Sequence, residues 1–99
     1  MSWQPATPRD RIAALHAIRD RHPGLVAAAQ RNRLLDALQT LGSCTTYEAS
    51  RHLDLYDPRA RKMELVKAGH RVLMTWSMTE TEAGVRHRIG RYTLVKGKA

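Results

Sequence analysis

Cys44, His52, His70 and His87 are the residues whose side chains could act as nucleophile, base or metal ligand in this 99-residue chain. None has a ligand spacing such as C-x-x-C or H-x-x-x-H, and a metal centre needs ligands that converge. Cys44 and His52 make a nucleophile and base pair on paper, but nothing in the local pattern orients one toward the other. A lone cysteine is ordinarily a small buried hydrophobe. It also excludes an internal disulfide, which fits a reducing compartment. No glycine-rich phosphate loop is present. These residues predict a protein that is not an enzyme and holds no metal or cofactor.

Binding chemistry is better supplied. The chain has 17 Lys and Arg against 9 Asp and Glu, for a net charge of +8, and a pI near 10.6. A polyanion is the natural partner of such a balance. Between residues 57 and 99 ten Lys and Arg face four acids, whereas residues 25–56 hold three of each, so the basic surface belongs to the C-terminal half. Hydrophobic residues at 42% and charged residues at 26% are ordinary for a globular domain. The longest apolar stretch, residues 25–29, is far below the roughly 20 residues of a membrane span. Without the apolar core of a signal peptide near the N-terminus, the expectation is a soluble cytoplasmic protein.

Elements that position the cations can be read from caps and periods. Thr7 as N-cap, Pro8 at the first helical position and Asp10 in the first turn open a helix over 8–21, stopped by His22, Pro23 and Gly24. A second helix runs from about Leu25 to Leu41 with Leu34, Leu38 and Leu41 on one stripe, and Gly42 is suited to cap it. Thr45 and Glu48 match a capping box before a short helix from Thr46 to Leu53. After a turn at 54–56, Asp57 caps and Pro58 starts a third helix reaching Gly69. The period then falls to two. Val72, Met74, Trp76 and Met78 share one strand face, a polar loop spans 80–84, and residues 86–95 return with Arg88, Tyr92 and Leu94 on one face. Trp76 is expected to face the core. Residues 1–6, with Trp3, read as a loose tail, and the chain should fray from Lys96.

This order of elements, together with particular residues, resembles the small winged helix-turn-helix proteins of phages and prophages. The segments Thr45-Thr46-Tyr47-Glu48-Ala49, Ala60-Arg61 through Leu65 to Ala68-Gly69, and Arg91-Tyr92-Thr93-Leu94 look like the T-T-x-E-A, A-R-x-x-x-L-x-x-A-G and R-Y-x-L segments of that family. The likeness covers about residues 31–95. It implies an α+β, mostly helical fold: a three-helix core, a two-stranded wing over 72–95, and an extra N-terminal helix. Residues 1–24 are then tail and helical extension, and 25–99 the winged domain. Lys62 stands where such helices carry an aliphatic residue, which makes Met63 and Val66 candidates to share the core role with Leu65.

Such a fold presents the helix over 58–68 to the major groove and the hairpin to the backbone or minor groove of double-stranded DNA. Arg59 and Lys62, in the first turns of that helix, are the candidates for base readout. Arg61 points about 100° round from either neighbour in the chain and could contact DNA or pair with Glu64 or Glu48. Thr45, Thr46 and Tyr47 sit at a helix start, where hydroxyls and N–H groups can hold a phosphate or simply cap. Arg86, Arg88 and Arg91 on the wing would track phosphates, or serve as charges that protect an edge strand. The alternative is a winged-helix module that docks a protein or an RNA without DNA specificity. Ile12, Leu15 and Ile18 form an apolar stripe that either mediates a homodimer or buries against its own domain.

Overall fold

A computed structural model describes residues 7–96. Four helices, α1 (Pro8–Arg21), α2 (Ala27–Leu41), α3 (Thr46–Arg51) and α4 (Pro58–Lys67), precede a hairpin of β2 (Val72–Glu80) and β3 (Arg86–Leu94), with a short strand β1 (Ser43–Thr45) between α2 and α3. The tail expected at 1–6, Trp3 included, and the end of the fraying segment lie outside the described residues.

The caps act as their residue types dictate. Thr7 Oγ1 accepts from Asp10 N at 3.1 Å, and Asp57 Oδ1 from Ala60 N at 3.2 Å. The Thr45 hydroxyl accepts from Glu48 N while the Glu48 carboxylate accepts from Thr45 N, both at 3.0 Å. At the far end of α4, Gly69 takes φ +105°, and Gly69 N and His70 N donate back to Val66 O and Leu65 O. This closes the helix in a Schellman motif. Two helices are shorter than the sequence implies. Leu25 and Val26 are exposed and precede α2 without a side-chain cap. The chain leaves α3 after Arg51 because Asp54 reverses it at φ +56°, a left-handed conformation that Asp tolerates better than most residues. Leu53 and Leu55, buried on either side, pin that reversal into the core.

The hairpin is not a free two-stranded wing. Antiparallel pairing of β1 with β3, from Ser43↔Thr93 to Thr45↔Arg91, makes a three-stranded sheet in the order β1-β3-β2. The register Met74↔Tyr92, Trp76↔Gly90 and Met78↔Arg88 places the residues of the predicted faces together. The inner half of this face is covered: Cys44 and Tyr92 join Leu34, Leu38, Leu41, Ala49, Leu53, Leu55 and Leu65 in the core. The outer half is not, and Trp76, expected inside, is 58% exposed.

Leu15 and Ile18 of α1 are 0% and 1% exposed and belong to this same core. The stripe that could have joined two copies is therefore consumed within its own chain, with Ile12 alone at the surface. Met63 and Val66 do not share the core role expected of them. They are 48% and 41% exposed, and Leu65 alone carries α4 into the core.

Candidate nucleic-acid interface

Two buried polar residues of α2 set the turn between α3 and α4. The Arg33 guanidinium donates to the carbonyls of His22 at 2.6 Å, Gly24 at 2.9 Å and Asp54 at 3.3 Å. Gln30 donates to Leu25 O at 2.8 Å and accepts from Tyr56 N at 3.2 Å. Arg33 and Gln30 are 2% and 3% exposed, so their own polar groups depend on these partners, and an unmade buried hydrogen bond costs more than a made one contributes. One face of α2 thus holds both the loop after α1 and the turn that aims α4. The sequence carried a signal for this pair: Gln30 and Arg33 fall on the apolar stripe of Leu34, Ala37, Leu38 and Leu41.

The α3 capping box is locked from outside. Arg11 of α1 donates to Glu48 Oε2 at 2.6 Å and Oε1 at 3.0 Å, and to Ser43 O at 2.9 Å. Burial pushes the Glu48 carboxyl up, but its bonds to Arg11 and to the Thr45 N–H outweigh that and hold it below the usual carboxylate range. Sequence reasoning missed Arg11, whose partners lie more than thirty positions away.

Against this frame, the nine predicted contact residues separate. Thr45 is buried with its hydroxyl bound to Glu48 N, so it is a cap and not a surface for phosphate. Arg61 turns inward and donates from Nη2 to Glu64 Oε2 at 3.1 Å; its Nε, 3.0 Å from Oε1, is not aligned for a hydrogen bond. Arg91 lies on the sheet face opposite Arg88 and donates to Ser43 Oγ at 2.7 Å and, more distantly, to Ser77 Oγ at 3.5 Å, across all three strands. These three serve the fold.

The others reach the surface. Thr46, Tyr47 and Arg59 line a groove of about 650 Å³ between the two helices of the turn and the sheet, whose far wall is Met74, Trp76 and Ile89. Gly90 forms its waist: a β-carbon there would meet Thr46 Cγ2 at 3.3 Å, tighter than most contacts allow. Arg88 stacks over the Trp76 ring at 4.5 Å, a cation–π contact that holds the guanidinium beside the groove. Lys62 is half-buried on the side of α4, and Arg86 is exposed at the start of β3.

Ion pairing is unevenly distributed, and among the described residues of the N-terminal half exposed Arg9 is the arginine that finds neither an acid nor a backbone carbonyl. Asp20, Asp36, Glu48, Glu64 and Glu82 pair with Arg19, Arg21, Arg11, Arg31, Arg61 and Arg51. Among the described residues Arg59, Lys62, Lys67, Arg71, Arg86 and Arg88 take no carboxylate. The resulting surface is a helix and a hairpin that both present cations, with an apolar groove between them.

Residues expected to be able to do chemistry are placed apart. Cys44 is fully buried, and burial pushes its thiol far up, so it is no thiolate at neutral pH. His52 meets His16, Nδ1 to Nε2 at 3.1 Å, and not Cys44; burial, then the neighbouring His16 and Arg51, lower its pKa. No group of three or more His, Cys, Asp or Glu converges among the described residues. No helix among them is long and apolar enough to cross a membrane.

A short helix capped by Thr45, a turn held by Gln30 and Arg33, a second helix and a strand hairpin define a winged helix-turn-helix. Residues 29–97 match the family model described as Winged helix-turn-helix domain, and the chain belongs to that family. Helix α1 lies outside the matched span. No curated protein and no solved structure matches the chain significantly.

Proposed function

We propose that this domain binds double-stranded DNA with sequence preference, α4 lying in the major groove and the β2–β3 wing along the backbone. It would act as a small cytoplasmic transcriptional regulator or a phage or mobile-element DNA-binding protein. The observation that carries this reading is the distribution of unpaired charge: acids hold six arginines, five of them in α1 to α3, while Arg59, Lys62 and Lys67 of α4, Arg71 after it and Arg86 and Arg88 of the wing take no carboxylate and are available to an external polyanion. Arg59 is the residue for base readout, and Arg86 and Arg88 the residues for phosphate.

Fluorescence anisotropy of the full chain on random duplex DNA over a salt series tests this. Neutralisation of four to six phosphates gives a slope of log K against log salt of roughly −4 to −5. A slope near zero rejects DNA as the ligand. One observation favours a second reading, docking to another protein: Met74, Trp76 and Met78 form an exposed apolar row on the wing. Under that reading unlabelled duplex DNA fails to displace the partner.

A further inference from the structure

We propose that Met63 and Val66 are specificity residues that read the 5-methyl groups of thymine, an inference resting on the duplex-binding reading above. Both are on the outward side of α4, one turn apart and about half-exposed, on the helix whose inward side is carried by Leu65. Neither belongs to the core cluster or packs against it. Arg59, one turn before Met63, and Lys67 after it are exposed along the same side. The helix's one acid, Glu64, is held by Arg61 and Arg31. The outward face therefore offers a polyanion cations at both ends and two apolar groups in the middle, and the acid at the start of the helix, Asp57, is engaged as its N-cap.

Duplex DNA supplies the matching chemistry in one place. The thymine methyl is the apolar group that a base edge displays in the major groove, and apolar side chains are what contact it. Spacing agrees. At 1.5 Å per residue the rise from Arg59 to Val66 is about 10 Å, or about three base-pair steps at 3.4 Å each. The preferred site should then carry a guanine for Arg59 and one or two thymines within about four base pairs.

Sites are selected from a random duplex pool by the full chain, then resynthesised with deoxyuridine in place of thymidine, which removes the methyl and leaves the hydrogen-bonding edge unchanged. The parent should bind the uracil duplex about fourfold more weakly for one methyl contact and about fifteenfold for two, as expected from burying single carbon groups. The double variant Met63→Ala, Val66→Ala should lose the same factor on the thymine duplex and bind thymine and uracil duplexes alike. Alanine favours helix and both positions are at the surface, so folding is retained and is checked by circular dichroism. Equal affinity of the parent for the two duplexes overturns the inference while leaving DNA binding intact. A thymine preference that persists in the double variant also overturns it, because the preference then comes from duplex shape. Failure of the parent to select any duplex overturns the DNA reading and this inference with it.

Discussion

Arginine does opposite work in the two halves of this molecule. In α1 to α3 it is a structural residue: Arg33 is 2% exposed and bound to three backbone carbonyls, and Arg11 forks onto the Glu48 carboxylate of a capping box. In α4 and the wing, Arg59, Arg86 and Arg88 stand at the surface without a carboxylate. Residue type is the same and local propensity nearly so. What differs is the placing of acceptors: loop carbonyls and acids lie beside most arginines of α1 to α3, two of the acids, Glu64 and Glu82, coming from the C-terminal part, while no carboxylate pairs with Arg59, Arg86 or Arg88. A guanidinium that finds planar acceptors is absorbed into the fold, and one that does not remains for a partner.

The sharpest way to break the comparison is Arg33→Met, which keeps the stem and deletes the donors. Leaving the carbonyls of His22, Gly24 and Asp54 unpaired should cost about 3 to 4 kcal/mol, read by urea unfolding. Arg33→Lys should recover less than half, because one ammonium cannot span three carbonyls. A loss below about 1 kcal/mol would mean that the turn is held by Leu53 and Leu55 alone.

Arg11→Ala should cost about 2 to 3 kcal/mol at neutral pH, the range of hydrogen bonds to charged groups. It should also alter the acid limb. Glu48 has a carboxyl held below its unfolded value, so its contribution is present above about pH 4.3 and is lost as pH falls through the lower folded value. In Arg11→Ala that limb should be shallower. Identical pH profiles for parent and variant, after allowing for the offset at neutral pH, would rule out the Arg11–Glu48 coupling.

The exposed arginines should behave differently, with full thermal stability and altered binding. Arg59→Ala should cost about 1 to 3 kcal/mol on a preferred duplex and little on random DNA. Arg88→Ala should weaken both about equally and reduce the salt slope by about one. If both bind like the parent, the helix and wing are not the binding surface.

Local chemistry was readable wherever both partners sit within one turn. Thr45 with Glu48, Asp57 with Pro58, and the change of period after Gly69 placed α3, α4 and β2 to within two residues. Strand β1 escaped because three residues carry no period and their partners arrive almost fifty positions later. Gln30 and Arg33 escaped because a polar residue on an apolar stripe looks like an interruption until its acceptors in two distant loops are seen. Trp76, Met63 and Val66 were misplaced for a related reason. Periodicity tells which residues share a face, but the extent of cover over that face is a tertiary property. Of the nine contact candidates, Thr45, Arg61 and Arg91 already have partners in the fold, which their residue types alone could not reveal.

The central position of β3 bears on how the molecule assembles. Its pairing with β1 brings Cys44 beside Tyr92 and Ser43 beside Thr93, far apart in the chain, so the sheet depends on the closing of a long loop. During synthesis, α1 to α4 emerge with Cys44 and the inner ends of α2 and α3 unroofed, and only the passage of residues 86–94 supplies Tyr92 to cover them. A nascent chain halted before β3 would expose the unpaired edge of β1 and this uncovered apolar surface, the features that draw a chaperone or a second chain. The wing is thus also the lid of the core, which stays open on that side until β3 has been made.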